Sequence, residues 1–355
     1  MWNEFTYQAL PMRVAFGAGR LAVLGEEAER LGLERVLVLA TPGQEEHVRL
    51  VTDALGRHTA GVFQEARMHV PAETAEAAWA TARRLDADGC VAVGGGSAVG
   101  LGKAVALKHR LPVIAVPTTY AGSEMTPIWG LTEDGVKRTG RDAAVLPRSV
   151  VYDPELTLTL PTALSVTSGF NALAHAVEGL YAPDASPVVS LLAREGAQAL
   201  VEALPRIAED GADIEARTRA LYGSWLCGSV LGATTMSLHH KLCHVLGGTF
   251  DLPHAEVHTV VLPHVLAYNA PAAPGAAMAM ERVLGTRDPA TALRDLARSL
   301  GAPTSLSEIG MGEENIQEAV RQVVAAPYAN PRTPTAEELT GLLERAVRGE
   351  RPISG

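Results

Sequence analysis

Cysteine is scarce in this chain of 355 residues: there are three, Cys90, Cys227 and Cys243. None is paired at the spacing of a disulfide framework or a zinc knuckle. A small disulfide-stapled scaffold is excluded, and the pattern suits free thiols in a reducing cytoplasm. Aromatic residues make up only 5 % of the chain, and no basic run is interleaved with them, so the stacking-and-phosphate pattern of a nucleic-acid binder is missing. Thirty basic against forty acidic residues leave a formal net charge of −10. An anionic substrate must therefore be attracted locally, by charge focused in a cleft. No apolar run reaches the roughly 20 residues that span a bilayer. The first residues, MWNEFTYQALPMRVAFG, lack a basic segment followed by an apolar one. The expectation is a soluble cytoplasmic protein. A hydrophobic content of 47 % with 20 % charge provides for a sizeable core, and the length accommodates two domains.

What is present divides the chain in two. Up to about residue 154, short β-branched runs alternate with helical patterns. Strands are expected at 35–41, 60–66, 90–97 and 112–119, with helices at about 43–56, 73–85 and 99–109. This alternation predicts an α/β nucleotide-binding domain over 1–154, built on a parallel Rossmann-like sheet. A short β meander through 128–133, 136–140 and 149–153 is expected to close it. From 155 to 355 strands vanish and helical periodicity dominates, predicting an all-α domain with helices at about 163–182, 186–209, 212–235, 237–249, 256–269, 289–300, 313–325 and 335–347. The Ala/Pro-rich stretch 270–280 reads as a surface connection. Small-molecule sites favour the interface between two such domains.

Two loops carry nucleotide chemistry. Gly94, Gly95, Gly96 and Ser97 sit where a strand runs into a helix, so a pyrophosphate can approach bare backbone at a helix N-terminus. The segment 117–124, with Thr118, Thr119 and Ser123, follows the next strand and should face the same cleft at the carboxyl edge of the sheet. At the end of the first strand stand Thr41 and Pro42. No acid is there to bond a ribose hydroxyl and no arginine to grip a 2′-phosphate, so both NADH and NADPH should be accepted.

The densest signal is histidine. Six of the eleven lie between His239 and His264, and a seventh, His175, lies upstream. Histidine exchanges protons near neutrality and is the commonest metal ligand. Asn171 and His175 share a helix face at i, i+4, as do His240 and His244, while His254 follows Pro253 at a helix entry. His239 reads as facing away from the site, and His258 and His264 as packing or capping residues. One neutral amide among imidazoles lacks the anionic ligand that helps hold iron or zinc.

FGAGR (16–20), GGGS (94–97), PTTYAGSE (117–124), DPELTLTLP (153–161), GFNALAHAVE (169–178), HHKLCHVLGG (239–248), LPHAEVHTVVLPHV (252–265) and NPR (330–332) run in order through nearly the whole chain. Together they resemble the iron-containing alcohol dehydrogenase superfamily, whose fold is that of dehydroquinate synthase and glycerol dehydrogenase. Within it the chain is similar to the maleylacetate reductases. The superfamily usually has an aspartate where this chain has Asn171, and a Pro-x-Asp where it has Ala98, Val99 and Gly100. The superfamily's metal positions fall on Asn171, His175, His240 and His254.

The resemblance implies an NAD(P)H-dependent oxidoreductase of aromatic-compound catabolism (resorcinol, hydroxyquinol or chloroaromatic routes). It would reduce the enone C=C of maleylacetate, a small dianion, to 3-oxoadipate without a required metal, and would act as a homodimer. His244 is expected to donate the proton and His240 to stabilise the enolate. His175, His254 and Asn171 would line the substrate, and Lys241 and Tyr120 would contact it. The rival reading is a metal-dependent alcohol or aldehyde dehydrogenase of the same superfamily.

Overall fold

The structure, a computed structural model, describes residues 4–133 and 136–353. The chain forms two compact units. The first is Ala9–Leu160 with Ala212–Leu221, and the second is chiefly Pro161–Gly211 with Tyr222–Gly355. The expected border at 154 thus stands at 160. The turn Pro154–Thr157 buries Leu156 in the core of the first unit. The returning segment 212–221 adds Arg217, whose fully buried guanidinium donates to the Leu160 carbonyl at 2.9 Å.

The first unit holds a six-stranded parallel sheet in the order β1-β8-β5-β4-β2-β3. Its strands are β1 (Arg13–Phe16), β2 (Val36–Leu39), β3 (Thr59–Phe63), β4 (Gly89–Gly94), β5 (Val113–Pro117) and β8 (Ser149–Tyr152). The helices are α1 (Leu24–Arg30), α2 (Glu45–Leu55), α3 (Ala72–Arg84) and α4 (Gly96–His109). Alternation sends neighbouring residues to opposite faces. Val36, Val38, Val91, Val93, Ile114 and Val116 pack on α1 and α2, while Leu37, Leu39 and Cys90 pack on α3 and α4. A one-residue slip would turn each set onto the opposite helical layer, against side chains it does not fit, at roughly 1–3 kcal/mol for an overpacked position.

The expected meander is only partly there. β6 (Ile128–Glu133) and β7 (Val136–Arg141) form a separate antiparallel pair. β8 instead enters the main sheet, parallel to β1 and β5. All four of its residues are buried, as a strand covered on both faces requires. β1 supplies an edge strand that the sequence reading did not include. β2 pairs with both β3 and β4, so the order in which successive strands are added reverses between β2 and β4, while every strand stays parallel. That is where parallel sheets open a ligand crevice.

The second unit is helical: α5 (Thr162–Tyr181), α6 (Pro187–Glu209), α7 (Ile214–Ala233, which begins in the first unit), α8 (Leu238–Phe250), α9 (His254–Asn269), α10 (Pro274–Leu284), α11 (Pro289–Ser299), α12 (Ile316–Val324) and α13 (Ala336–Arg348). The expected connection at 270–280 is a correction. After a short turn at Ala270–Ala272 it becomes α10, with Pro274 in its first turn and Ala276, Ala279, Met280 and Val283 buried at helical spacing. Proline is tolerated at that position and alanine is the best helix former. No helix among the described residues is long and apolar enough to cross a membrane.

Candidate active site

In the first unit the glycine loop joins β4 to α4. Gly94 has φ +137°, a conformation that L side chains rarely adopt. A Cβ on Gly95 would lie 3.0 Å from Thr119 Cγ2, whereas at Gly96 it would meet nothing. The Thr118 N–H donates to the Gly94 carbonyl at 3.2 Å, tying the loop after β5 to the loop after β4. No side chain caps the 14-residue helix α4. Its first N–H groups, at Gly96, Ser97 and Ala98, therefore remain for a phosphate, which the helix dipole favours. Thr41 lies half-buried just beyond β2, at the sheet's reversal.

A lysine that the sequence reading passed over organises this loop. Fully buried Lys103 of α4 donates from Nζ to the Ser123 carbonyl at 2.6 Å, Ser123 Oγ at 3.2 Å, Thr126 Oγ1 at 2.9 Å and the Ile128 carbonyl at 2.8 Å. Burial pulls its pKa down to about 7, opposed by the buried Glu124 carboxyl, which accepts from Tyr152 Oη at 2.8 Å. Ser123 thus holds its loop through Lys103. Tyr120 departs from expectation. Its ring is fully buried with its hydroxyl toward Arg217 and Thr157, which leaves no face for a substrate.

The second unit gathers the histidines. α5 carries Asn171 and His175, α8 carries His239, His240 and His244, and α9 opens with His254 and continues to His258. The rings form one continuous group. Centroids are 5.1 Å apart for His175–His240, 5.0 Å for His240–His258, 4.5 Å for His254–His258, 6.2 Å for His240–His244 and 6.5 Å for His244–His254. Burial is graded: His239 and His258 are fully buried, His175, His240 and Asn171 nearly so, His254 is half-buried and His244 exposed. Lys241 is half-buried beside His240.

Two expectations fail here. His239 does not face away, since its Nε2 lies 2.9 Å from His258 Nδ1 and 3.5 Å from Cys243 Sγ. His258 is not mere packing but the floor of the cluster. His264 does pack apart: burial, with Arg345 and Arg294 nearby, holds its pKa at about 4. Burial, reinforced by neighbouring rings, keeps His175, His239 and His258 well below the usual imidazole range. These three are neutral near pH 7, so any positive charge met by a dianion comes from the mouth, not the floor.

The sequence reading also missed Glu178, one turn beyond His175 on α5 and fully buried. Its Oε1 accepts the His239 N–H at 2.7 Å, and its Oε2 accepts the Ser237 N–H at 2.8 Å and lies 2.7 Å from His240 Nδ1. The available signal was an acid in an otherwise apolar helical run, HAVEGL.

Of the positions that hold the superfamily's iron, three are histidines here and the fourth is Asn171. Asn171 brings a neutral amide, and its Oδ1, like His240 Nε2, is buried without a partner. Among the described residues, the group of three His, Cys, Asp or Glu side chains with ligand atoms all within 4.8 Å is His239, Cys243 and His258, two of which already bond each other. The carboxylate that accompanies two histidines in many non-haem iron sites is missing from this set.

Comparison with known proteins gives the family. Residues 11–154 match the iron-containing alcohol dehydrogenase family, and residues 165–347 match the C-terminal part of the Fe-containing alcohol dehydrogenase family. A maleylacetate reductase of Sphingobium indicum is 56 % identical over 351 residues, 99 % of each chain. The crystal structure of maleylacetate reductase from Agrobacterium tumefaciens superposes with a TM-score of 0.95 at 50 % identity, covering 99 % of this chain and 100 % of that one. That of maleylacetate reductase from Rhizobium sp. strain MTP-10005 gives 0.95 at 48 %, with the same coverage. The chain belongs to the iron-containing alcohol dehydrogenase family of NAD(P)H-binding oxidoreductases, in the branch formed by the maleylacetate reductases.

Proposed function

We propose that the chain reduces maleylacetate to 3-oxoadipate with NADH or NADPH, and that it needs no metal to do so. The full-length likeness to maleylacetate reductases carries the substrate. Asn171 among neutral imidazoles, where the superfamily has a carboxylate, carries the metal independence. Reduction of an isolated carbonyl benefits from a Lewis acid on its oxygen. An enone offers another route. Hydride from the nicotinamide adds at the alkene carbon β to the ketone, the π electrons move onto the ketone oxygen as an enolate, and a proton then adds at the α carbon. Hydrogen-bond donors stabilise the enolate, and one acid finishes the step.

In this reading Gly94, Gly95, Gly96 and Ser97 hold the pyrophosphate, and Thr41, Thr118 and Thr119 line the nucleotide. His240 donates to the enolate oxygen. His244, the exposed member of the cluster, protonates carbon and exchanges its proton with solvent. His175, His254 and Asn171 line the substrate, and Lys241 meets a carboxylate. A cytoplasmic homodimer goes with the reading.

The test is product analysis with nicotinamide deuterated at the transferring carbon. Deuterium on the carbon β to the ketone of 3-oxoadipate is the expected result. A secondary alcohol carrying deuterium, with the alkene intact, would favour the metal-dependent alcohol or aldehyde dehydrogenase.

A further inference from the structure

We infer that Glu178 is a positioning residue of the reductase site, acting through His240; this rests on the reductase reading above. Helix α8 begins without a side-chain cap of its own, since Ser237 makes no capping bond. Its first N–H groups are instead taken by a carboxylate from α5: Ser237 N at 2.8 Å and His239 N at 2.7 Å, with His240 N at 3.5 Å. A carboxylate at a helix N-terminus satisfies orphan donors and complements the dipole. Both oxygens of Glu178 are thereby acceptors, so the ring nitrogen 2.7 Å from Oε2, His240 Nδ1, carries its hydrogen toward Glu178.

Two consequences follow. The ring plane of His240 is fixed from behind, by a group that is itself anchored at several points. And Nδ1 is committed, so any proton His240 exchanges with a substrate passes through Nε2, the buried atom that has no protein partner. His175 and Asn171 stand on the same helix as Glu178, one and two turns earlier. The one carboxylate therefore keeps the α5 and α8 members of the cluster in register.

Because Glu178 also caps α8, loss of stability alone would not identify this role. The informative comparison is a double-mutant cycle in the full-length enzyme, with kcat, the KM for NADH and the melting temperature read for each variant. Glu178→Gln retains the shape but places an NH2 group against N–H donors. It should lower kcat by about 10–100-fold, the usual cost of losing the partner that orients a functional histidine. The KM for NADH should stay within about twofold, the nucleotide loop being untouched. In a His240→Ala background the same change should cost less than about threefold more, because its target is gone. An unchanged kcat in folded Glu178→Gln, or an equal loss in both backgrounds, overturns the inference.

If Glu178→Gln does not fold, nitrogen NMR of histidine-labelled wild-type enzyme decides, with the His240→Ala variant assigning the signal. The inference requires a hydrogen on His240 Nδ1, whether or not Nε2 also carries one for the substrate, and a ring with its hydrogen on Nε2 alone overturns it. That measurement needs no substrate, so it distinguishes a failure of this inference from a failure of the maleylacetate reading, which wild-type turnover tests directly.

Discussion

Restoring the carboxylate at position 171 is the perturbation that probes the site most sharply. Asn171 is 6 % exposed, and its Oδ1 has no partner. One turn along α5 His175 is held neutral by burial, as are His239 and His258 in the histidine cluster. Asn171→Asp therefore places a buried carboxylate one helical turn from the neutral His175. An uncompensated buried charge costs about 3 kcal/mol. For a unit in the size class of roughly 150–250 residues, to which the helical unit belongs, each kcal/mol moves Tm by about 2–4 °C, so chelated Asn171→Asp should melt roughly 6–12 °C below wild type. The same carboxylate completes the superfamily's ligand pattern. A divalent cation at about a hundred times its Kd should return ~2.7 kcal/mol, nearly offsetting the loss. The assay is thermal melting of both proteins with chelator and with Zn²⁺ or Fe²⁺. Wild type should not move. The reasoning fails if the variant melts with wild type in chelator, or if wild type gains as much from the metal as the variant does.

Three further predictions follow from the geometry. Gly94→Ala forces a side chain onto a backbone at φ +137° and against Ala98 Cβ at 3.1 Å. Strain of about 1–3 kcal/mol should weaken NADH binding by about tenfold or more, measured by nucleotide fluorescence with the circular dichroism spectrum unchanged. Lys103→Met removes the ammonium that ties the Ser123 and Ile128 carbonyls to the Ser123 and Thr126 hydroxyls; losing those bonds at about 0.5–1.5 kcal/mol each should raise the KM for NADH and lower Tm, and retention of both would show that the lysine does not hold the loop. For pH, the folded pKa values of His175, His239 and His258 lie below the unfolded value near 6.5, so below pH 6.5 the unfolded chain binds the extra protons. Their contribution to stability is complete above that pH and is lost as pH falls. Urea midpoints should drop between pH 7.5 and 5.5, and a flat profile would contradict the neutral cluster.

Much of this was legible in the sequence because it rests on local pattern. The alternation in β2, β4 and β5, the glycine loop and the long helices α5–α9 all announce themselves within a dozen residues. What escaped depends on long-range partners. β8 reads as one more strand of a hairpin until β1 and β5, distant in sequence, are seen to flank it. An alanine-rich stretch with two prolines reads as a connection, yet α10 has one apolar face packed against α5, α6 and α11. Type and spacing singled out Asn171, His175, His240, His244 and His254, and the four histidine rings lie in one group. His239 and His258 were set aside because the hydrogen bond joining them crosses two helices. Glu178 looks like a solvated acid until the N-terminus of α8, some sixty residues later, arrives to be capped.

The central claim, reduction of an enone by a histidine cluster without a required metal, is tested most directly by one measurement. NADH oxidation would be followed with freshly prepared maleylacetate before and after exhaustive chelation, with metal content measured on the same samples. The account predicts rapid turnover that survives removal of all metal. Turnover lost on chelation and restored by Fe²⁺ or Zn²⁺ would contradict it.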